Sequence, residues 1–131
     1  MKKANTTEAD FAVFCESIEF YMNLLQLGDW KHLCYHSDKG VINSYASIRT
    51  DYAARLVTFF FAKTLTEAAI AHCDPWLHGK HEVCELLLSE LSNACAHAFN
   101  NNDVDSWSHA VIHRLERALP AKEIVQIKRT K

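Results

Sequence analysis

The chain has 131 residues, of which 49% are hydrophobic and 23% charged, with only 3 Gly and 2 Pro; this composition excludes a disordered, collagen-like or low-complexity protein. The length is typical of one compact domain, so we expect a single domain over residues 1–131, with a flexible basic tail from about residue 121. A net charge of −2 gives no overall positive field to attract nucleic acid, which is therefore not an expected partner.

The first predicted element is a helix that begins after Thr7, because Thr7 and Asp10 have the spacing of a capping box. Gly28 is expected to end this helix. The apolar residues between these points recur at helical spacing and predict one continuous buried face, formed by Phe11, Phe14, Ile18, Tyr21, Met22 and Leu25. A face of this length indicates that the helix packs against a sheet.

Residues 29–62 have the composition of β-strands. The sequences WKHLCYH (30–36) and VINSYASIR (41–49) flank the turn sequence SDKG, a pattern that predicts a β-hairpin. After a looser link at residues 51–54, RLVTFFFAK (55–63) is a nearly unbroken apolar run, typical of a strand that is buried on both faces or covered by helices. We therefore expect three mostly antiparallel strands after the first helix.

Residues 64–100 are predicted to be helical. Thr66 can cap a short first helix, and the Asp74-Pro75 pair interrupts the segment, because proline disfavours the helical conformation in the residue before it. A longer helix is expected to begin near Trp76 or Lys80 and to reach residue 99.

A last helix is predicted from about residue 104 to 119, after a turn at NNND (100–103), and it should end at Pro120. Its buried face is expected to consist of Trp107, Val111, Leu115 and Ala118. The expected fold class is α+β: an N-terminal helix, a small, mostly antiparallel three-stranded sheet, and two or three further helices.

The sequence GKHEVCELLL (79–88) carries the strongest chemical signal, at His81, Glu82 and Glu85. Residues four apart lie one turn apart on the same helix face, so His81 and Glu85 can both reach one metal ion, with Glu82 beside it. The pattern differs by one residue from the HExxH zinc signature, because Glu85 stands where the second His would be. In that signature the two outer residues bind the ion and the inner Glu takes a proton from its bound water.

The order of three sequence blocks resembles that of the small zincin-like metallopeptidases of phage and prophage genomes. The blocks are LLQLGDW (24–30), KHEVCELLL (80–88) and HAVIHRLERAL (109–119), with the predicted strands between the first two. The resemblance implies a minimal zincin-like fold with a Zn²⁺ site, in which His81 is the first metal ligand and Glu82 the general base. It places Glu85 at the position of the second metal His and implies a third ligand from the following helix, where His109 is the nearest match.

The exchange of His for Glu85 changes the expected chemistry. A carboxylate is an established zinc ligand, but its negative charge makes the bound water less acidic, and oxygen-rich ligation favours Mn²⁺ or Mg²⁺ over Zn²⁺. The sequence therefore predicts an altered HExxE metal site in a metal-dependent hydrolase or peptidase with weakened or lost activity. Zn²⁺ is the expected ion, with Mn²⁺ or no ion as alternatives. The alternative function is a noncatalytic factor that binds a protein partner on the same scaffold.

Other histidines leave alternatives open. His78 precedes His81 by three residues and would join the metal ligands if the helix began early enough, but Gly79 favours a start near residue 80 and a loop position for His78. His109 and His113 are an i,i+4 pair on the last helix, on the same face as Glu116. They would either complete the metal site or form a polar surface stripe.

The remaining features of the sequence concern compartment and partners. No run of 18 apolar residues exists, so no membrane-spanning segment is expected, and the N-terminal residues lack the apolar segment of a signal peptide. We expect a cytoplasmic protein.

Five cysteines without a CxxC pair argue against a disulfide framework or a zinc ribbon. The sequence leaves the substrate and the oligomeric state open.

Overall fold

The structure is a computed structural model that describes residues 2–95 and 101–120; the side chains of residues 90, 91, 93, 94 and 101–108 are outside this description. Its elements in chain order are β1 (Lys3–Asn5), α1 (Glu8–Leu24), β2 (Lys31–His36), β3 (Ala46–Asp51), β4 (Leu56–Phe61), β5 (Thr64–Thr66), α2 (Glu67–Ala71), α3 (Pro75–Cys95) and α4 (Asn101–Ala118). The predicted α+β class is confirmed. The strands β1 and β5, which the sequence did not predict, form a separate antiparallel pair.

Helix α1 begins as predicted. The Thr7 hydroxyl accepts a hydrogen bond from the Asp10 N–H at 3.0 Å, and the Asp10 carboxylate accepts one from the Thr7 N–H at 2.9 Å. These two bonds form a capping box that satisfies backbone donors at the helix start. The predicted face of α1 is buried, and the Phe14 ring stacks on Phe61 of β4 at 4.9 Å between ring centroids.

The end of α1 differs from the prediction. The helix ends at Leu24, and Gln26, rather than Gly28, adopts the left-handed conformation, with a φ of 57°. The Leu27 N–H donates to the Met22 carbonyl at 2.9 Å, which satisfies one of the last helical carbonyls. The prediction that Gly28 stops the helix is therefore wrong, because the turn is completed before the chain reaches it.

The three-stranded sheet has the order β2-β4-β3. Strand β4 lies at the centre, parallel to β2 and antiparallel to β3, so the predicted β2–β3 hairpin is wrong and the hairpin instead joins β3 to β4. The predicted burial of β4 is confirmed, with Val57, Phe59 and Phe61 fully buried and Phe60 nearly so. The most apolar strand takes the central place, where both of its edges are hydrogen-bonded to neighbouring strands.

Helix α3 begins earlier than the glycine suggested. Asp74 caps it, since the Asp74 carboxylate accepts a hydrogen bond from the Leu77 N–H at 3.2 Å, and Pro75 is the first helical residue. Gly79 therefore lies inside the helix. A Cβ at Gly79 would lie 2.7 Å from Cβ and Oγ of Ser17, so the close approach of α1 and α3 requires glycine there.

Helix α4 also begins earlier than predicted. Residues 101–103 are helical rather than part of a turn, whereas residues 96–100 and the predicted tail from residue 121 are outside the described part of the chain. No helix within the described residues is both long enough and apolar enough to cross a membrane.

The buried face of α4 is shifted by one residue from the prediction. Ile112 is 3% exposed, while Val111 is 40% exposed and Ala118 is exposed as well. Leu115 is half-buried, and the Trp107 side chain is outside the description. Ile112 and Glu116 are one turn apart, so the face that α4 turns toward α3 carries an acid beside the buried apolar residue.

Candidate metal centre

Helix α3 brings His81, Glu82 and Glu85 together. Each offers one ligand atom, and these atoms all lie within 4.8 Å of one another. The i,i+4 spacing brings Nε2 of His81 to 3.6 Å from Oε1 of Glu85. These three residues are called the HEE cluster below.

Glu82 is the buried member of the HEE cluster. The residue is only 5% exposed, and its Oε2 has no hydrogen-bond partner within the described residues. Burial, followed by the negative charge of Glu85, holds the pKa of Glu82 well above the usual range of a glutamate. Burial therefore favours the protonated form of the Glu82 carboxyl.

His81 and Glu85 form a charged pair. Interaction with Glu85 raises the pKa of His81 to about 9. Burial opposes this shift, and Glu116 adds to it. Interaction with His81, opposed by burial, lowers the pKa of Glu85. His81 thus lies between the carboxylates of Glu85 and Glu116, which stabilise its protonated form, and a metal ion that binds Nε2 must displace the proton on that nitrogen.

Glu116 of α4 reaches His81 from the neighbouring helix. One Glu116 oxygen contacts Nδ1 of His81, and the Glu116 side chain is 15% exposed. The Glu116 main chain is held separately, because the buried Lys80 donates a hydrogen bond from Nζ to the Glu116 carbonyl at 2.7 Å. A carboxylate on one ring nitrogen leaves the other nitrogen of a histidine available to a metal ion, an arrangement that is common in metal sites.

The two histidines of α4 lie at the margin of the site. The resemblance suggested His109 as the third ligand, but within the described residues His109 is exposed and outside the group of mutually close ligand atoms. His81 is the main cause of the lowered pKa of Glu85, and the charge of His109 makes a smaller contribution in the same direction. His113 is exposed too, with its ring centroid 6.1 Å from that of His81 and its Nδ1 3.4 Å from Glu116 Oε2.

His78 is helical rather than in a loop, because α3 begins at Pro75. Its ring stacks on Tyr45 at 4.1 Å between centroids, and its Nε2 accepts a hydrogen bond from the Asp74 N–H at 3.2 Å. His78 is not part of the HEE cluster, because it is outside the group of mutually close ligand atoms. The predicted loop position is wrong, and so is its premise that Gly79 marks the helix start.

A cleft of about 460 Å³ opens at the HEE cluster. Residues 44–48, at and before the start of β3, line one side, and the other side consists of His78 and the HEE cluster. Strand β3 is an edge strand, paired within the described residues with β4 only. A second cavity of about 530 Å³ adjoins the cleft and shares Ser44 and Tyr45 with it.

Sequence reasoning missed two contributors to this site. The contact of Glu116 with His81 depends on how α4 packs, and the only local signal was the position of Glu116 on one helix face with His109 and His113. The Tyr45–His78 stack joins a residue before β3 to a residue of α3, and no sequence spacing signals it.

No known protein family, curated protein or solved structure matches this chain.

Proposed function

We propose that this protein is a zincin-like, metal-dependent hydrolase that binds a divalent ion at His81 and Glu85 and cleaves an extended peptide slowly, with Glu82 as the general base. The observation that carries the proposal is the convergence of these three side chains within 4.8 Å, at a cleft between α3 and an edge strand. His81 and Glu82 stand where the resemblance to phage zincin-like peptidases implies the first metal ligand and the general base.

The residues of the HEE cluster fit a divalent ion in three respects. Two ligands of one tetrahedral zinc ion lie about 3.4 Å apart, given bonds of about 2.0–2.1 Å, and the His81–Glu85 separation of 3.6 Å is close to this. The two ligands are one imidazole and one carboxylate, a pair suited to Zn²⁺ or Mn²⁺. Glu82 Oε2 is buried without a hydrogen-bond partner within the described residues, and a water molecule bound to the ion would give it one.

A divalent ion in this site would supply Lewis-acid polarisation of a carbonyl group and would acidify a water molecule. The side chains of the protein perform the other tasks. Glu116 holds Nδ1 of His81, so that Nε2 is directed toward Glu85. Glu82 is buried enough to have a raised pKa, which brings its carboxylate closer to the basicity that a general base needs near pH 7. Glu85 adds a negative charge where a neutral histidine would otherwise be, and slow turnover follows from that charge.

The cleft supports a peptide as the substrate. An extended peptide can add to an exposed sheet edge through main-chain hydrogen bonds, and β3 borders the HEE cluster with one edge paired to β4. The adjoining cavity has an apolar part formed by Val41, Ile42 and Leu65, which suits an apolar substrate side chain.

A noncatalytic protein-binding factor is the second candidate. It is favoured by one observation: His81, between Glu85 and Glu116, makes an ion-pair network that balances charge in the site without a metal. In that case the cleft would bind a protein segment and leave it intact.

The test is cleavage of a mixture of internally quenched fluorogenic peptides of random sequence. We expect the protein loaded with Zn²⁺ or Mn²⁺ to cleave a subset of them, with cleavage abolished by EDTA and reduced at least 100-fold in E82Q. The matched control is the exposed Glu19 of α1, and E19Q should keep wild-type activity. No cleavage with either ion, or equal cleavage by wild type and E82Q, would overturn the hydrolase and favour the noncatalytic factor.

A further inference from the structure

His78 lies on the cleft wall beside the HEE cluster, one helical turn before His81 and Glu82. We infer that His78 is a further catalytic residue, a neutral imidazole that donates a hydrogen bond from Nδ1 to the carbonyl oxygen of the bound peptide as that oxygen gains negative charge. The inference deepens the proposed function and rests on it.

The helix cap fixes which ring nitrogen of His78 carries the proton. The Asp74 N–H donates to Nε2 at 3.2 Å, so Nε2 must present its lone pair. A neutral imidazole with an accepting Nε2 carries its single proton on Nδ1. Within the described residues Nδ1 of His78 has no hydrogen-bond partner, which leaves this donor available to a ligand in the cleft.

The surroundings keep the His78 ring neutral. Burial lowers the pKa of His78 to about 4; Asp74 opposes this shift, His81 adds to it, and Glu116 opposes it more weakly. A neutral imidazole near pH 7 is a hydrogen-bond donor that does not add a second positive charge next to a divalent ion. Neutral histidines serve as electrophiles in this way in other enzymes.

The ring of His78 is also held in place before any ligand arrives. It is stacked on Tyr45 with 13° between the ring planes, and the Tyr45 hydroxyl donates to the Ala69 carbonyl at 3.0 Å. The stack on one side and the Asp74 bond on the other restrict rotation of the ring. A donor that is already oriented stabilises developing charge without the cost of reorganisation.

A purely structural His78 would explain the same contacts, so the test uses readouts that separate the two roles. His78→Phe keeps a ring to stack on Tyr45 but removes Nδ1–H, together with the Nε2 acceptor of the Asp74 N–H. We expect kcat on the best-cleaved peptide of the library to fall about 100- to 1,000-fold, the usual loss for one such donor, with KM and the Kd for Zn²⁺ nearly unchanged. The exposed His32, changed to Phe, is the matched control and should keep wild-type kcat.

A second readout does not depend on activity. Long-range ¹⁵N–¹H NMR spectra of the metal-free wild type at pH 7 should show His78 as the neutral tautomer with its proton on Nδ1. A proton on Nε2, a charged ring, or a kcat for His78→Phe within twofold of wild type would overturn this inference alone, provided the wild type cleaves peptide. A wild-type protein that cleaves none of the peptides would overturn the proposed function and this inference together.

Discussion

The Glu116 carboxylate of α4 contacts Nδ1 of His81 on α3, and this contact determines which ring nitrogen of His81 faces Glu85. The two helices are joined a second time by the hydrogen bond from Lys80 to the Glu116 carbonyl. Glu116 is therefore anchored by its main chain while its side chain orients the ring. Carboxylates that orient metal-binding histidines in this way strengthen metal binding without touching the ion.

The first prediction concerns Glu116. E116A should weaken Zn²⁺ binding about 10- to 100-fold, the usual cost of losing such a partner, while the Lys80 hydrogen bond to the main chain keeps the helices together. E116Q, which retains an acceptor oxygen, should recover part of the affinity. Isothermal titration with Zn²⁺ measures both. Equal affinity in wild type and E116A would show that Glu116 does not position His81.

The second prediction concerns the stability of the metal-free protein. Glu82 has a buried oxygen without a partner within the described residues, and an unsatisfied buried polar group costs about 1–3 kcal/mol. E82M, of similar size and without that oxygen, should raise the free energy of unfolding by about this amount in urea titrations. E19M on the exposed face of α1 should change it by less than about 0.5 kcal/mol. A marked loss of stability in E82M would mean that Glu82 has a structural role instead.

The third prediction concerns the contact between α1 and α3. G79A places a Cβ 2.7 Å from Cβ and Oγ of Ser17, so the helices must separate, and overpacking of this kind costs about 1–3 kcal/mol. Gly28 is the matched control, because a Cβ there meets nothing within 4 Å, and G28A should have little effect. Thermal unfolding of both variants makes the comparison. Equal melting temperatures for the two would contradict the close helix approach.

The fourth prediction is a pH dependence from His78. Its folded-state pKa of about 4 lies below its usual value, so as the pH falls the unfolded chain takes up a proton from about pH 6.5 and the folded protein only near pH 4. The folded state therefore loses stability as the pH falls through this window, and His78→Phe removes that loss. The difference in melting temperature, variant minus wild type, should increase as the pH falls from 7.5 to 5. A difference that is independent of pH would contradict the buried, neutral ring.

Local sequence signals predicted much of the fold. The Thr7–Asp10 capping box and the break at Asp74-Pro75 depend only on neighbouring residues, and both are confirmed. The apolar run of β4 indicated that this strand is buried. The 3.6-residue period also predicted that His81 and Glu85 share a helix face, and the two lie on one face at the cleft.

Contacts between distant segments could not be predicted in the same way. The SDKG turn suggested a β2–β3 hairpin, but the more apolar β4 pairs with both strands and separates them. Gly79 resembled a helix boundary in the sequence. Glycine is required there because Ser17 of α1 lies close by, and a contact with another helix leaves no local sequence signal. The choice of Ile112 over Val111 as the buried residue of α4 likewise depends on how α4 meets α3.

Equilibrium dialysis against Zn²⁺ and Mn²⁺ tests the central claim most directly, because every proposed role depends on an ion at the HEE cluster. We expect one ion per chain for wild type and for the exposed-histidine control H32A, and no tight binding for H81A. Failure of wild type to bind either ion, or undiminished binding by H81A, would contradict a metal centre at His81, Glu82 and Glu85.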